Sequence, residues 1–148
     1  MLNIAHFRAF IIRPTLEHLD MHSEAAENLV LGTALQESNL THLQQLGGGP
    51  ALGLFQMEPA TERDILETYL SRREDIAKKL PADRDLIGNL KYATAMCRIH
   101  YWRVPEPLPH ADDADGMAAY YKQFYNTAEG EATEAGFARM YRKYVLDK

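Results

Sequence analysis

The sequence predicts a mainly α-helical domain. Two observations predict it. Apolar residues recur at three- and four-residue steps along most of the chain, the signature of helices with one buried face. No segment alternates at period two as a half-buried strand would, and Gly and Pro gather at a few junctions between the periodic stretches.

The helices can be taken in order. Leu2, Phe7, Phe10 and Ile11, extended by Leu16 and Leu19, give an amphipathic start running to about Asp20, with Pro14 at an early turn or a break. The second helix covers 23–37. Ser23 is its N-cap, Glu24 and Glu27 are acidic first-turn residues, and Ala26, Leu29, Val30, Thr33 and Ala34 form its inner stripe. Residues 40–52 lack periodicity and contain three consecutive glycines, so they form a loop, with room for at most a small β-hairpin near 47–56. Pro59 at a first turn opens a third helix to about Ser71, and 72–80 is a short separate helix stopped by Pro81. Leu86, Leu90, Ala93, Cys97 and Tyr101 line one face of a long central helix over 83–102. A proline-rich connection at 104–110 leads to two last helices, 112–125 and 131–145.

Length and charge bound the function. A chain of 148 residues with 46% hydrophobic content suits one domain with one real core, here 1–148. The net charge of −5, with no compensating basic cluster, argues against a nucleic-acid partner. It also gives no general attraction to an anionic polymer, so binding must come from a shaped groove. The single cysteine, Cys97, excludes an internal disulfide and falls on an apolar helix face. His18 and His22 lack a third ligand, so no metal or other cofactor is expected. No run of about 20 apolar residues is present, so no membrane span is expected. Arg8 and Arg13 interrupt the apolar N-terminus, which has no small-residue cleavage site and reads as a helix rather than a signal peptide.

The chemistry concentrates in 33–61. Continuing the stripe of the second helix places Glu37 on its inward face near the C-terminus. Desolvation and the negative helix end both raise a carboxyl pKa, and a protonated glutamic acid near neutral pH can donate to a glycosidic oxygen. The plainer alternative is a rim glutamate facing water. Gln56 interrupts the apolar run Leu54-Phe55-Gln56-Met57, and a buried amide there needs backbone or ligand partners. Glu58 is the candidate second carboxylate, or simply a residue favoured ahead of a helix start. Gly53 can bring backbone close to a ligand.

Gln36-Glu37-Ser38-Asn39, then Gly53-Leu54-Phe55-Gln56-Met57-Glu58-Pro59-Ala60-Thr61, then Phe124-Tyr125-Asn126 resemble, in that order, the motifs of the soluble lytic transglycosylase and goose-type lysozyme superfamily, glycoside hydrolase family 23. The 89–101 segment is similar to that family's central helix. The wording around Gly48–Thr61 looks closest to small phage and prophage members. The resemblance spans roughly residues 24–130. It implies a lysozyme-like fold and cleavage of peptidoglycan glycan strands between N-acetylmuramic acid and N-acetylglucosamine. Glu37 would be the catalytic acid. Tyr125 would hydrogen-bond that acid and Gln56 would help to position it. Ser38, Gly53, Phe55, Gln56, Met57 and Asn126 would line the substrate site.

The family motif leaves the Glu58 position variable, so no role carries over to it. Phe55 stands for the usual methionine, Met57 for isoleucine, and Gly47 for a serine that contacts the substrate. The setting implied is a bacterial cytoplasm for synthesis and the cell wall for action, with carriage in a phage virion. Other virion or tail proteins would then be partners. Two alternatives remain open: a non-catalytic lysozyme-like virion or tail component, and a carbohydrate-binding module.

Overall fold

The computed structural model describes residues 1–126 and 132–146. Helix dominates. Among the described residues, strand-like pairing is limited to isolated antiparallel bridges joining Gln44 to Leu52 and Leu52 to Met57. The region with room for a hairpin is thus a tight turn: Leu52 and Met57 exchange backbone hydrogen bonds of 3.0 and 3.1 Å across it.

Helix α1 covers 4–18, capped by the Asn3 side chain. Its middle, Arg8–Ile12, opens into π-helical bonding, with the Arg13 amide reaching the Arg8 carbonyl. Pro14, which supplies no amide hydrogen and crowds the preceding turn, stands just beyond this stretch, although Ile65–Tyr69 and Tyr141–Val145 open in the same way without a proline. Helix α2, Glu24–Ser38, starts at Ser23, whose hydroxyl accepts from the Ala26 amide at 3.0 Å. It ends at Asn39, which adopts a left-handed φ of 52°. One inner stripe was expected, but α2 is buried on nearly every side, Glu27, Asn28, Leu31 and Gly32 included. Gly32 admits this packing because a Cβ there would stand only 3.0 Å from the Phe137 ring.

Helix α3 (59–72) begins at Pro59 and tightens into a last 3-10 turn. Helix α4 is the single turn Glu74–Ala77. The central helix α5 runs Leu90–Trp102, later than the sequence suggests, because Asn89 is its N-cap and accepts from the Tyr92 amide at 3.0 Å. Asp85 instead holds the Ile87 amide at 2.9 Å, keeping that stretch in a turn. Helix α6 is Ala114–Phe124, and α7 covers 134–145 from its Thr133 cap. Residue 131, expected in α7, lies outside the described residues.

Two apolar clusters hold these helices. One packs α2 against α1, α5, α6 and α7 through residues such as Leu29, Val30, Phe55, Tyr121 and Phe137. The other packs α3, α4 and the 80–86 segment against α5 through Ile65, Leu70, Leu86 and Met96. Helix α5 serves both: Ala93, Cys97 and Tyr101 face the first, while Tyr92, Met96 and Ile99 face the second. Leu86, expected on the helix face of Ala93, belongs to the second cluster from outside the helix. Among the described residues, no helix is long and apolar enough to cross a membrane.

Candidate active site

The last turn of α2 carries Glu37 to a groove of about 860 Å³. The 42–61 segment forms one side of that groove, and the end of α6 forms the other. Glu37 is half-buried, and burial pushes its carboxyl above the ordinary glutamate range. Hydrogen bonds from Tyr121 and Asn126 pull the other way, but burial is the larger effect. The Tyr121 hydroxyl donates to Glu37 Oε2. Burial and the neighbouring carboxylate hold that phenol far above its usual range, so it remains a donor. Asn126 accepts from Lys122 Nζ through Oδ1 at 2.9 Å, which leaves its amide nitrogen to serve Glu37. A carboxyl that is raised, half-buried and fixed by two donors can hold a proton and deliver it to an acceptor in the groove.

The tyrosine expected to hold the acid was Tyr125; the residue that does so is Tyr121. Tyr125 stands one turn later, where α6 has ended, and its hydroxyl donates to the Phe55 carbonyl at 2.6 Å. Its ring stacks on Tyr121 at 6.0 Å and on Tyr101 at 5.4 Å. Tyr125 thus ties α6 to the 53–57 turn and backs Tyr121. Tyr120, Tyr121, Phe124 and Tyr125 are all aromatic, and the residues alone did not say which one faces the acid.

Gln56 lies in the groove wall with a left-handed φ of 48°, an uncommon conformation for a residue with a side chain. Its Nε2 donates to the Gly53 carbonyl at 2.8 Å, and its backbone amide reaches the same oxygen at 3.1 Å. Its amide partner is therefore backbone, not Glu37. Glu58 is exposed on the groove margin. Asn126 lines the groove as expected.

Ser38, Gly53, Phe55 and Met57, expected as substrate contacts, do other work. Ser38 is buried and its hydroxyl donates to the Leu54 carbonyl at 2.6 Å and the Ala34 carbonyl at 3.0 Å, clamping the 53–57 turn onto α2. Phe55 and Met57 point into the two apolar clusters. Gly53 has φ 78°, and a Cβ there would stand 2.1 Å from the Leu86 carbonyl oxygen. These residues set the shape of the wall from behind.

His100 was not anticipated. It lines the groove, edge-on to Tyr125 at 5.2 Å. Burial and the nearby Arg103 guanidinium lower it to about 4, so it is neutral at pH 7. Arg103 contacts His100 Nδ1 at 3.1 Å and pairs with Asp64 at 2.8 Å. Guanidinium only donates, so Nδ1 accepts and the ring proton resides on Nε2. Its three-residue step from Cys97 on α5 was the available signal, masked by the apolar stripe beside it.

Among the described residues, no group of three His, Cys, Asp or Glu side chains is arranged to hold a metal ion. Comparison with protein-family models, curated proteins and solved structures found no match to this chain.

Proposed function

We propose that this chain cleaves the glycan strands of peptidoglycan between N-acetylmuramic acid and N-acetylglucosamine, with Glu37 as the acid. The observation that carries the reading is the Glu37 carboxyl itself: raised by burial, held by Tyr121 and Asn126, and open to a groove large enough for sugar rings. A second observation supports it. The Glu37, Gln56 and Tyr125-Asn126 segments, which resemble three motifs of the lytic transglycosylase and goose-type lysozyme superfamily, lie far apart in sequence and meet at this one groove.

In the proposed reaction, protonated Glu37 gives its proton to the glycosidic oxygen as the bond to the anomeric carbon breaks. The resulting carboxylate takes the proton of the muramyl 6-hydroxyl, which closes on the anomeric carbon of the same sugar. Glu37 is thereby reprotonated, and the product carries a 1,6-anhydro end. Tyr121 orients the carboxyl for both transfers.

A non-catalytic, lysozyme-like virion or tail component is the second reading. It draws on the packing roles of Ser38, Phe55 and Met57, which serve the fold whether or not chemistry occurs. Digestion of purified sacculi, with mass spectrometry of the products, separates the two. Wild type should release muropeptides, and Glu37→Gln should lose about 10²–10⁴ of the rate with the fold intact. Unimpaired cleavage by Glu37→Gln removes Glu37 from the chemistry. Inactivity of wild type on every sacculus puts the structural reading first.

A further inference from the structure

A second cavity, of about 440 Å³, lies away from the groove, where the end of α1 meets α4 and the start of α5. Lys78, Lys79 and Lys91 stand around it, and no carboxylate contributes to its lining. In a chain of net charge −5, three like charges gathered at one place oppose one another unless something else offsets them. Lys78 and Lys91 are exposed and Lys79 half-buried, so water screens part of that repulsion, but no carboxylate of the lining offsets it. None of these three lysine side chains makes a hydrogen bond, ion pair or ring contact among the described residues. By contrast, Lys122 bonds Asn126 and Lys143 covers the Tyr144 ring.

Leu19, Leu80 and Ala95, with Pro14 and Pro81, form its apolar wall, and the exposed His18 stands at its edge. The remaining lining residue is Thr15. Its Oγ1 is the one buried side-chain polar atom without a hydrogen-bond partner among the described residues. Thr33 and Thr94, also helical, turn their hydroxyls to the carbonyls of Leu29 and Leu90. Thr15 does not, although an unpaired buried hydroxyl is costly.

We propose that this cavity binds a phosphate ester with a short aliphatic arm. The lysines would take the phosphate oxygens as point charges, and Leu19, Leu80 and Ala95 would cover the arm. Such a group is carried equally by a soluble alkyl phosphate and by a lipid headgroup. The site is independent of Glu37, so it stands or falls apart from glycan cleavage.

The test titrates the full chain with n-butyl phosphate, followed by backbone amide NMR and calorimetry. Saturable shifts confined to the Leu19, Lys78–Leu80, Lys91 and Ala95 amides are expected. Lys78→Gln/Lys79→Gln/Lys91→Gln should weaken binding by roughly tenfold or more, whereas Lys143→Gln, outside the cavity, should leave it unchanged. Phosphatidylcholine vesicles with and without phosphatidic acid then assign the source. Capture by the acidic vesicles, reversed by n-butyl phosphate, points to a lipid. Binding of n-butyl phosphate without capture points to a soluble ester. Absent or non-saturable shifts, or equal affinity in the triple variant and the wild type, overturn the proposal.

Discussion

Glu27 and Glu37 share one helix, and both are drawn out of water, yet their carboxyls go opposite ways. Glu27 is 4% exposed and meets Arg8 at 2.7 Å, Arg13 at 2.8 Å and His22 at 2.9 Å. Burial raises its pKa, but the hydrogen bonds from Arg13, Arg8 and His22 together overcome that and bring it to about 2. Glu37 has only neutral donors, Tyr121 and Asn126, and burial wins. A buried carboxyl is a fastener or a proton donor according to whether cations come with it. Arg8 shows how fully the first site is satisfied: beyond Glu27 it donates to Asn28 Oδ1 at 2.7 Å and to the Val145 carbonyl at 3.1 Å, tying α1 to α2 and α7.

Breaking the fastener should have the largest effect on stability. Glu27→Gln removes the anionic partner of Arg8 and Arg13 and should cost about 2–4 kcal/mol in denaturant unfolding, short of a fully stranded buried charge because Arg8 keeps Asn28 and the Val145 carbonyl and Arg13 reaches water. In wild type, the Glu27 carboxyl falls from 4.5 to about 2 on folding, so its contribution is present above pH 4.5 and is lost as pH falls toward 2. Glu37 has the opposite sign. Its raised carboxyl favours the fold below the ordinary glutamate range and loses that contribution as pH rises through its folded value. Glu37→Gln should therefore be at least as stable as wild type at pH 7, with the difference shrinking toward pH 4. A marked loss of stability in Glu37→Gln at neutral pH would erase the contrast.

A smaller effect separates the two stacked tyrosines. Tyr121→Phe removes a donor that favours the charged form of Glu37, so the alkaline limb of the activity profile should move to higher pH. The rate should fall by roughly tenfold as the carboxyl loses its orientation. Tyr125→Phe leaves the Phe55 carbonyl without its phenol donor. It should cost about 1–2 kcal/mol of stability and leave the pH profile in place. Equal displacement of the limb by both variants would contradict the assignment of Tyr121 as the residue that holds the acid.

The sequence exposed the helices through three- and four-residue spacing, which local geometry enforces, whereas Glu37 was singled out by the Gln36-Glu37-Ser38-Asn39 motif, since spacing alone left a rim glutamate open and α2 is buried on nearly every side. Ser23 and Pro59 marked helix starts because capping is local too. Glu27 escaped notice as a buried group. A first-turn acid has a sufficient local explanation, and its partners Arg8 and Arg13 come from another helix. The choice between Tyr121 and Tyr125 escaped for a different reason. Residues one turn apart share a face, and only the depth at which α6 meets α2 decides which one reaches the carboxyl. Ser38, Phe55 and Met57 show the limit of motif reading, since their residue types suit the wall of a site and the packing behind it equally well.

The smallest effect concerns the other carboxylate in the groove. Among the described residues lining it, Glu37 and Glu58 are the only acids. Glu62 and Asp64, close by in sequence, are occupied, one by the Tyr92 hydroxyl at 2.6 Å and the other by Arg103. Glu58 is exposed at the start of α3, where a negative charge favours the helix dipole without any catalytic duty. A two-carboxylate hydrolase needs its second group positioned to activate a water across the scissile bond. An exposed side chain with no hydrogen bond to fix it is poorly suited to that. In the proposed reaction the muramyl 6-hydroxyl would need no such help, because it is tethered to the carbon it would attack. Glu58→Gln should therefore reduce the rate by less than about tenfold, or ~1.4 kcal/mol of barrier, and the products should still carry 1,6-anhydromuramyl ends. Loss of activity in Glu58→Gln, together with reducing muramic ends from wild type, would make Glu58 the partner of Glu37 and water the nucleophile.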